Sequence, residues 1–593
     1  MIRHASRRTH QNPAPEPLFR PPAWGWSRFG EILWWVRPEW HDALIGPEGL
    51  RLDEWRKSGR LSIIKTGPQR VVYRADLPQG SVFVKHFLVP SWREMLRQWF
   101  RRGKGRNEGR RALKLAGIGV PTITPIALGE QRKRNFLFEN YLITPAIPDS
   151  MPLDQFVEES LPKWEPIRQA KIRQALAFAL GELTAYLHEA GFVHQDFHPG
   201  NLLVRLDEDD RPTLAMIDLD ALRVRRNLDW NDAKANLALL DHYFWTRSGR
   251  SDRMRFLKTY LAARTGTPPK LAEFAESIEK ATRSWAERLW KRWGRRCRGD
   301  NKYFAKYRDK RAWAIASREV DPEVARGLLH DPDAPFDAPG AVILKTSRTT
   351  TVAEVSMIVD GRPTRVIYKR FNRKKRLDPL LNLFRPSRAW RAWQNGQHLD
   401  CRGIPTPKNL AVISRSSSLK RRFLPHHFLA HETYLATVKA DPSITLNDYK
   451  DDILPGMSKA KQRDAIRRIN PALARLIRTM HDRSLSHRDL KAANILLEGD
   501  TDAAPPSLSL IDLVGVSLED PIPHRRRVQN LARLQISLAN VPGRTRTDAL
   551  RFLRIYAPKL FEHPPSWKRL WKQIDRACGS KKAQNLRRGR VLS

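Results

Sequence analysis

The sequence predicts an α+β chain folded as two two-lobed domains in tandem, and three observations predict it. An Asp and an Asn five residues apart, followed by an Asp closing an apolar run, occur twice: Asp196, Asn201 and Asp218, then Asp489, Asn494 and Asp512. Asp196 and Asp489 are 293 residues apart and Asp218 and Asp512 are 294 apart, so the repeat is a duplicated domain and not a solenoid. Each copy also runs through the same patterns: β-branched strands first, then a helix with apolar residues at helical spacing, then the Asp/Asn loop and two short strands.

At 593 residues the chain has room for roughly two to four domains, and each half is long enough to bury its own core. The cysteines Cys297, Cys401 and Cys578 have no close spacing, which excludes a Cys-rich metal site and suits reduced thiols. No apolar run is long enough to span a bilayer and the start carries no export signal, so the expected location is cytoplasmic, or peripheral on the inner face of the cytoplasmic membrane. The net charge of +44 favours an anionic partner: nucleic acid, acidic phospholipid or a phosphorylated substrate.

Taken in order, residues 1–50 form a Pro-, Trp- and Arg-rich extension, read as an extended arm. Its tryptophans (Trp24, Trp26, Trp34 and Trp35) either dock on the first domain or meet a lipid interface. The first domain is placed at residues 51–312. Its strands include Ser81 to Phe87, which carries Lys85. The turns at residues 65–70 and 345–350 lack the Gly-x-Gly-x-x-Gly pattern, although their backbone amides and basic side chains could still meet phosphate. The helix from Arg106 has Glu108 as its only carboxylate, placed to pair with Lys85 or with a neighbour on its own helix. In the second domain, placed at 341–593 after a linker at 313–340, Lys369 matches Lys85. Counting back from Pro405 as from Pro121 puts Ala392 where Glu108 stands.

Glu139-Asn140 and Glu432-Thr433 are read as linkers between lobes, where backbone would meet an adenine. Leu176, Leu180, Leu183 and Leu187 define a helix leading into the first Asp/Asn loop, and Leu473, Leu476, Ile477 and Met480 define its counterpart. Trp285, Leu289 and Trp293 form an aromatic stripe among arginines, which fits either a membrane surface or packing on the first domain.

The Asp–Asn–Asp spacing is that of kinase-type phosphoryl transfer, in which one carboxylate orients the acceptor hydroxyl and an Asn and a second Asp bind magnesium. With Lys85 and Lys369 in strands ahead of them, both halves resemble the bacterial lipopolysaccharide core kinases, the Kdo and heptose kinases, within the protein-kinase-like superfamily. The likeness covers about residues 60–310 and 340–580, and His-x-Asp-x-His-Pro-Gly-Asn in the first half is also similar to small-molecule kinases. The resemblance implies two bilobal protein-kinase-like domains using ATP and Mg2+ on a sugar hydroxyl of a glycolipid or small molecule. Lys85 and Lys369 would hold phosphate, with Glu108 bracing Lys85. Asn201, Asp218, Asn494 and Asp512 would bind magnesium. Asp196 and Asp489 would take the acceptor proton, and Lys491 would stabilise the transferred group. His194 and His487 brace the loops.

Competing readings remain at this point. A protein kinase needs a long segment ending near Ala-Pro-Glu, but the chain enters helical patterns soon after Asp218 and after Asp512. A binding scaffold of kinase ancestry is supported by the missing glycines and by Ala392. Nucleic-acid binding is raised by charge alone, with no reading motif beside it.

Overall fold

The alternating runs fold as strands in the computed structural model, which describes residues 27–67, 70–88, 103–133, 136–226, 228–309, 312–372, 386–416, 430–499 and 506–587. In Gly80–Leu88, Val82 and Val84 are fully covered while Phe83 and Lys85 on the opposite face are half-buried. That alternation lets one face pack on a core and leaves the other to line a cleft. The chain divides into two units, residues 1–286 and 287–593.

The first unit carries a seven-stranded antiparallel sheet. Its order is Ser27–Phe29, Ile32–Val36, Ala127–Lys133, Phe136–Pro145, Gly80–Leu88, Arg70–Leu77 and Leu61–Gly67. The helix Lys104–Gly117 packs against it with Glu108, Ala112, Leu113 and Leu115 buried. Below lies the long helix Pro166–Glu189, which buries Leu176, Leu180, Leu183 and Leu187 in one cluster with Phe192, Phe197, Leu202 and Met216. Two small antiparallel pairings, Leu202–Leu206 with Pro212–Met216 and Phe192–His194 with Leu222–Val224, shape the loop between them.

The second unit repeats this plan. Its sheet runs Phe304–Arg308, Ala312–Ser317, Asn409–Ser416, Ala430–Val438, Arg362–Phe371, Thr350–Val359 and Val342–Ser347. The helix Lys459–Asp482 buries Leu473, Leu476, Ile477 and Met480 under the second Asp/Asn loop. The α+β class and the tandem of two-lobed units expected from the repeat are therefore what the chain adopts.

Two expectations about the edges are corrected. The extension read as an arm supplies, over residues 27–36, the outer two strands of the first sheet, with Trp34 0% and Trp35 2% exposed. Trp24 and Trp26 lie outside the described residues. Likewise, residues 313–340 are no linker: all six residues of Ala312–Ser317 are buried, and the helix Pro322–His330 adds Ala325, Leu328 and Leu329 to the core. The Asp-Pro composition that suggests a linker has another cause. Asp321 caps this helix by accepting from the Glu323 and Val324 amides with Pro322 behind it, and Asp333 takes the Tyr434 hydroxyl and Arg370.

The edge strand is locked by one close approach, since a Cβ added to Gly129 would lie 2.7 Å from the Trp34 ring. Gly129→Ala is therefore expected to cost about 1–3 kcal/mol and Trp34→Ala about 3–5 kcal/mol. In denaturant unfolding followed by circular dichroism, the double variant should cost less than the two together, because the vacated ring space admits the methyl. Strict additivity would contradict this packing.

Candidate active site

Each Asp/Asn loop is tied down by the same set of bonds, built from residues with few alternatives. Asn201 Nδ2 donates to the Asp196 carbonyl at 2.8 Å and Asn494 Nδ2 to the Asp489 carbonyl at 2.8 Å, closing the five-residue span that the sequence repeats. His194 accepts from the Asp196 amide through Nδ1 at 3.3 Å, and its Nε2 lies 3.2 Å from the Asp218 carbonyl. His487 likewise accepts from the Asp489 amide at 3.2 Å, its other nitrogen 3.3 Å from the Ile511 carbonyl. Burial pushes both histidines below their ordinary value, which suits neutral rings acting as braces.

The Asp that ends each apolar strand is turned into left-handed backbone, Asp218 at φ 56° and Asp512 at φ 55°. That conformation is unfavourable for a residue with a Cβ and persists where surroundings over-determine it. Here it aims a carboxylate back under the sheet, where Lys85 Nζ lies 3.6 Å and Arg70 Nη1 3.1 Å from Asp218 Oδ1. Burial raises the Asp218 pKa, but Lys85 and Arg70 lower it further, leaving it below the usual carboxylate range. Lys85 Nζ also donates to Glu108 Oε1 at 2.5 Å, so the ammonium is held between a buried carboxylate of the helix and Asp218.

In the second unit Lys369 Nζ donates to Asp512 Oδ1 at 3.1 Å and lies 5.1 Å from the centre of the Phe371 ring. The helix register can be read from a shared contact. Arg111 donates to the Leu219 carbonyl just after Asp218, and Asn395 donates to the Leu513 carbonyl just after Asp512. Three residues earlier stand Glu108 and Ala392, both buried. Ala392 thus occupies the place of Glu108, and Lys369 has Asp512 as its carboxylate. Arg70 also has no charged counterpart: it pairs across the sheet with Phe87, and the residue paired with Phe371 is Thr350. Beside the proposed bases, Lys491 Nζ lies 3.2 Å from Asp489 Oδ2, and His198 Nε2 lies 3.6 Å from Asp196 Oδ2 at the matching position.

Glu139 and Glu432 require correction. Both sit inside strands, Phe136–Pro145 and Ala430–Val438, instead of between lobes. Glu139 lies opposite Leu88 and binds His86 at 2.6 Å and the Tyr141 hydroxyl at 3.0 Å, while Glu432 meets Arg415 and Tyr434. A carboxylate engaged in a strand-to-strand network is spoken for. The chain leaves the sheet at Pro145 and at Val438, beyond these residues. In the turn at residues 65–70, Pro68 and Gln69 lie outside the described residues. The aromatic stripe is used for packing: Trp285 lies 4.5 Å from the His242 ring in the first unit, and Trp293 lies 4.8 Å from Tyr303 in the second.

The sequence reading missed a second layer. Asn236, 5% exposed, donates through Nδ2 to the His194 carbonyl at 2.7 Å, and its Oδ1 lies 3.0 Å from His188 Nε2. His188 Nδ1 meets the Tyr260 hydroxyl at 2.8 Å. Asn530, His481 and Tyr556 repeat this at 3.1 and 2.7 Å, with Asn530 Oδ1 accepting from the His487 amide at 3.0 Å. The signal was present: Asn236 and Asn530 keep the 294-residue offset of Asp218 and Asp512, and each histidine stands six residues before His194 or His487.

For a divalent cation the donors fit. Asn201 with Asp218, and Asn494 with Asp512, offer hard amide and carboxylate oxygens, and cations already crowd Asp218. Among the described residues no group of three or more His, Cys, Asp or Glu could hold a metal alone. One amide and one carboxylate per unit would leave most of the coordination of such an ion to water or phosphate oxygens.

The family described as the lipopolysaccharide kinase (Kdo/WaaP) family matches residues 74–260 and again 345–556. No curated protein matches the chain. Among solved structures, WaaP in complex with acyl carrier protein is similar at TM-score 0.31 and 20% identity, over 43% of this chain and 97% of that one. A Toxoplasma gondii specific rhoptry antigen kinase domain is similar at TM-score 0.25 and 13% identity, over 37% and 83%.

The buried histidines set a pH dependence. Burial pushes His188 and His481 down to about 4, whereas an unfolded histidine titrates near 6.5. Between those values the unfolded chain binds more protons, so this stability is complete above about 6.5 and is lost as the pH falls toward 4, by up to about 3 kcal/mol per histidine. Thermal midpoints taken from neutrality downward should drop, and His188→Gln or His481→Gln should flatten the slope. An unchanged slope in both variants would rule out these groups as its source.

Proposed function

This chain belongs to the lipopolysaccharide kinase (Kdo/WaaP) family, and from that premise we propose that it transfers the terminal phosphoryl group of ATP to a sugar hydroxyl of the lipopolysaccharide inner core, a Kdo or a heptose. It is a kinase, a phosphotransferase acting on an alcohol group. The observation that supports phosphoryl transfer from ATP is Lys85, held at 2.5 Å by Glu108 and facing Asp218. Such a cation is placed for phosphate instead of being left to wander.

Phosphoryl transfer asks a protein mainly to position reactants and neutralise charge. In the first unit Lys85 orients the phosphates and Glu108 fixes Lys85. Asn201 and Asp218 would supply oxygens to Mg2+, which would neutralise phosphate charge. Asp196 accepts the acceptor hydroxyl proton on a carboxylate whose backbone is tied by Asn201 and His194. Arg70 bonds Asp218 Oδ1 and so adds a second cation beside the carboxylate that would hold Mg2+. The second unit assigns these roles to Lys369, Asp489, Asn494 and Asp512, with Lys491 beside the transferred group. Lacking a carboxylate at Ala392, it holds its lysine less firmly.

Geometry therefore favours turnover in the first unit, because errors of about 1 Å in such groups cost about 10²-fold. Asp196→Asn should abolish most phosphate transfer from labelled ATP to lipopolysaccharide, and Asp489→Asn should leave most of it. The opposite pattern would reverse the assignment. If neither substitution changes transfer, the acceptor-base reading fails.

The +44 charge supports peripheral association with the inner face of the cytoplasmic membrane. No helix among the described residues is long and apolar enough to cross a membrane. Each cation near an anionic surface contributes about 1 kcal/mol, screened by salt. Co-sedimentation with phosphatidylglycerol vesicles should fall as salt rises, and binding indifferent to salt and lipid charge would contradict this.

A further inference from the structure

The second unit has a groove of about 750 Å³ between the helices His524–Ser537 and Pro564–Arg587. Arg525 and Arg533 line one wall and Lys581 and Arg587 the other, with the amides Gln529 and Gln584 between them. Among the described residues no carboxylate lines it. A concave surface whose charge is all of one sign focuses its field on an anion of the opposite sign.

The groove is joined to the Asp489 loop through one helix. Asn530 holds the His487 amide at 3.0 Å, and three residues on, one turn along the same face, stands Arg533. From this helix Arg533 reaches the wall of the groove. Arg533 Nη1 is buried and has no hydrogen-bond partner among the described residues. A buried N–H without an acceptor is costly, and a phosphate or carboxylate oxygen is the acceptor a guanidinium binds best.

The first unit does not repeat the feature. Counting from Asn236 as from Asn530, Leu239 stands where Arg533 does. Gln195 replaces Arg488 and His198 replaces Lys491. The shared core of the site is equivalent, but the cations around the acceptor side belong to the second unit.

We propose that this groove is the acceptor subsite of the second unit, and that it selects a sugar already carrying a phosphomonoester or carboxylate, whose anionic group Arg533, Arg525 and Lys581 bind while a hydroxyl is presented to Asp489. The first unit, without these cations, takes a less charged acceptor. The inference rests on the sugar-kinase reading of the same site and adds to it the charge state of the substrate.

The test uses the full chain and delipidated core oligosaccharide in two forms: as released, and after its phosphoesters are removed and its carboxyls methyl-esterified. By calorimetry the charged form should bind at least about tenfold more tightly than the neutralised form. Arg533→Gln should weaken the charged form about tenfold and leave the neutralised form unchanged. Arg525→Gln combined with Lys581→Gln, both outside the buried core, should act in the same direction if Arg533→Gln fails to fold. An undiminished preference in these variants overturns the inference, as does a loss confined to phosphatidylglycerol vesicles, which would make the groove a lipid headgroup site. Transfer from ATP to the same oligosaccharide is read in parallel. Its absence in the unsubstituted chain would sink the kinase reading, while the binding comparison would still decide the groove.

Discussion

The buried amide that ties each Asp/Asn loop to the helix behind it is the contact on which the site's geometry depends. Asn236 bonds the backbone on both sides of His194, donating to its carbonyl and accepting from its amide. Asn530 accepts from the His487 amide. Both amides are nearly sealed from solvent, so a substitution leaving these backbone groups unsatisfied would cost their desolvation as well as the bond. Behind them His188 with Tyr260 and His481 with Tyr556 close the chain of contacts. A residue two positions from His194 or His487 can hold a carboxylate at a fixed place only because this backbone cannot shift.

The duplication has kept the bond to the His194 or His487 amide in both copies and let the cations diverge. Lys85 sits between Glu108 and Asp218 with Arg70 added, whereas Lys369 meets only Asp512 of the two equivalent carboxylates. On the opposite side the balance is reversed, with Lys491 beside Asp489 and Arg533 one turn beyond Asn530, where the first unit has His198 and Leu239. Bracing is a matter of backbone and is shared by any acceptor, so it tolerates little change. Charge around a cleft acts on whatever is held there and not on the backbone, so it can differ between the units while the bracing stays.

The sequence made the lower half of each unit legible because its signal is local. Asp196 with Asn201 and Asp489 with Asn494 lie within one loop, and leucines at helical spacing announce the helix before it. Lys85 and Glu108 were legible for a weaker reason, a lone carboxylate in a cationic helix, and the same count back from a proline located Ala392. What escaped was set by contacts distant in sequence. Trp34 reads as part of a loose arm until it is seen under Gly129, 95 residues later. Asp321 and Asp333 read as linker composition because a helix cap and a loop use the same residue types. Glu139 fell in a strand because Phe136–Leu137–Phe138 and Tyr141–Leu142–Ile143 form one continuous strand, and the pair between them is too short a break to end it. Arg533 carried no local signal at all, since an arginine in a surface helix is ordinary until a groove forms beside it.

The aromatic stripe of Leu271–Arg296 bears on how the charge acts. Had Trp285 and Trp293 been free, indole insertion and electrostatics would both have been available for a lipid surface. Each ring instead packs on its own unit, against His242 or against Tyr303 and Phe304. Trp290 is 4% exposed, with the Arg402 guanidinium 4.4 Å from its ring centre. Attraction of this helix to an anionic surface is then left to exposed cations such as Arg288, Lys291 and Arg292. Such attraction is long-ranged at low salt, reversible, and weak per residue once screened. A surface of that kind gives reversible contact with an anionic partner in place of an inserted anchor.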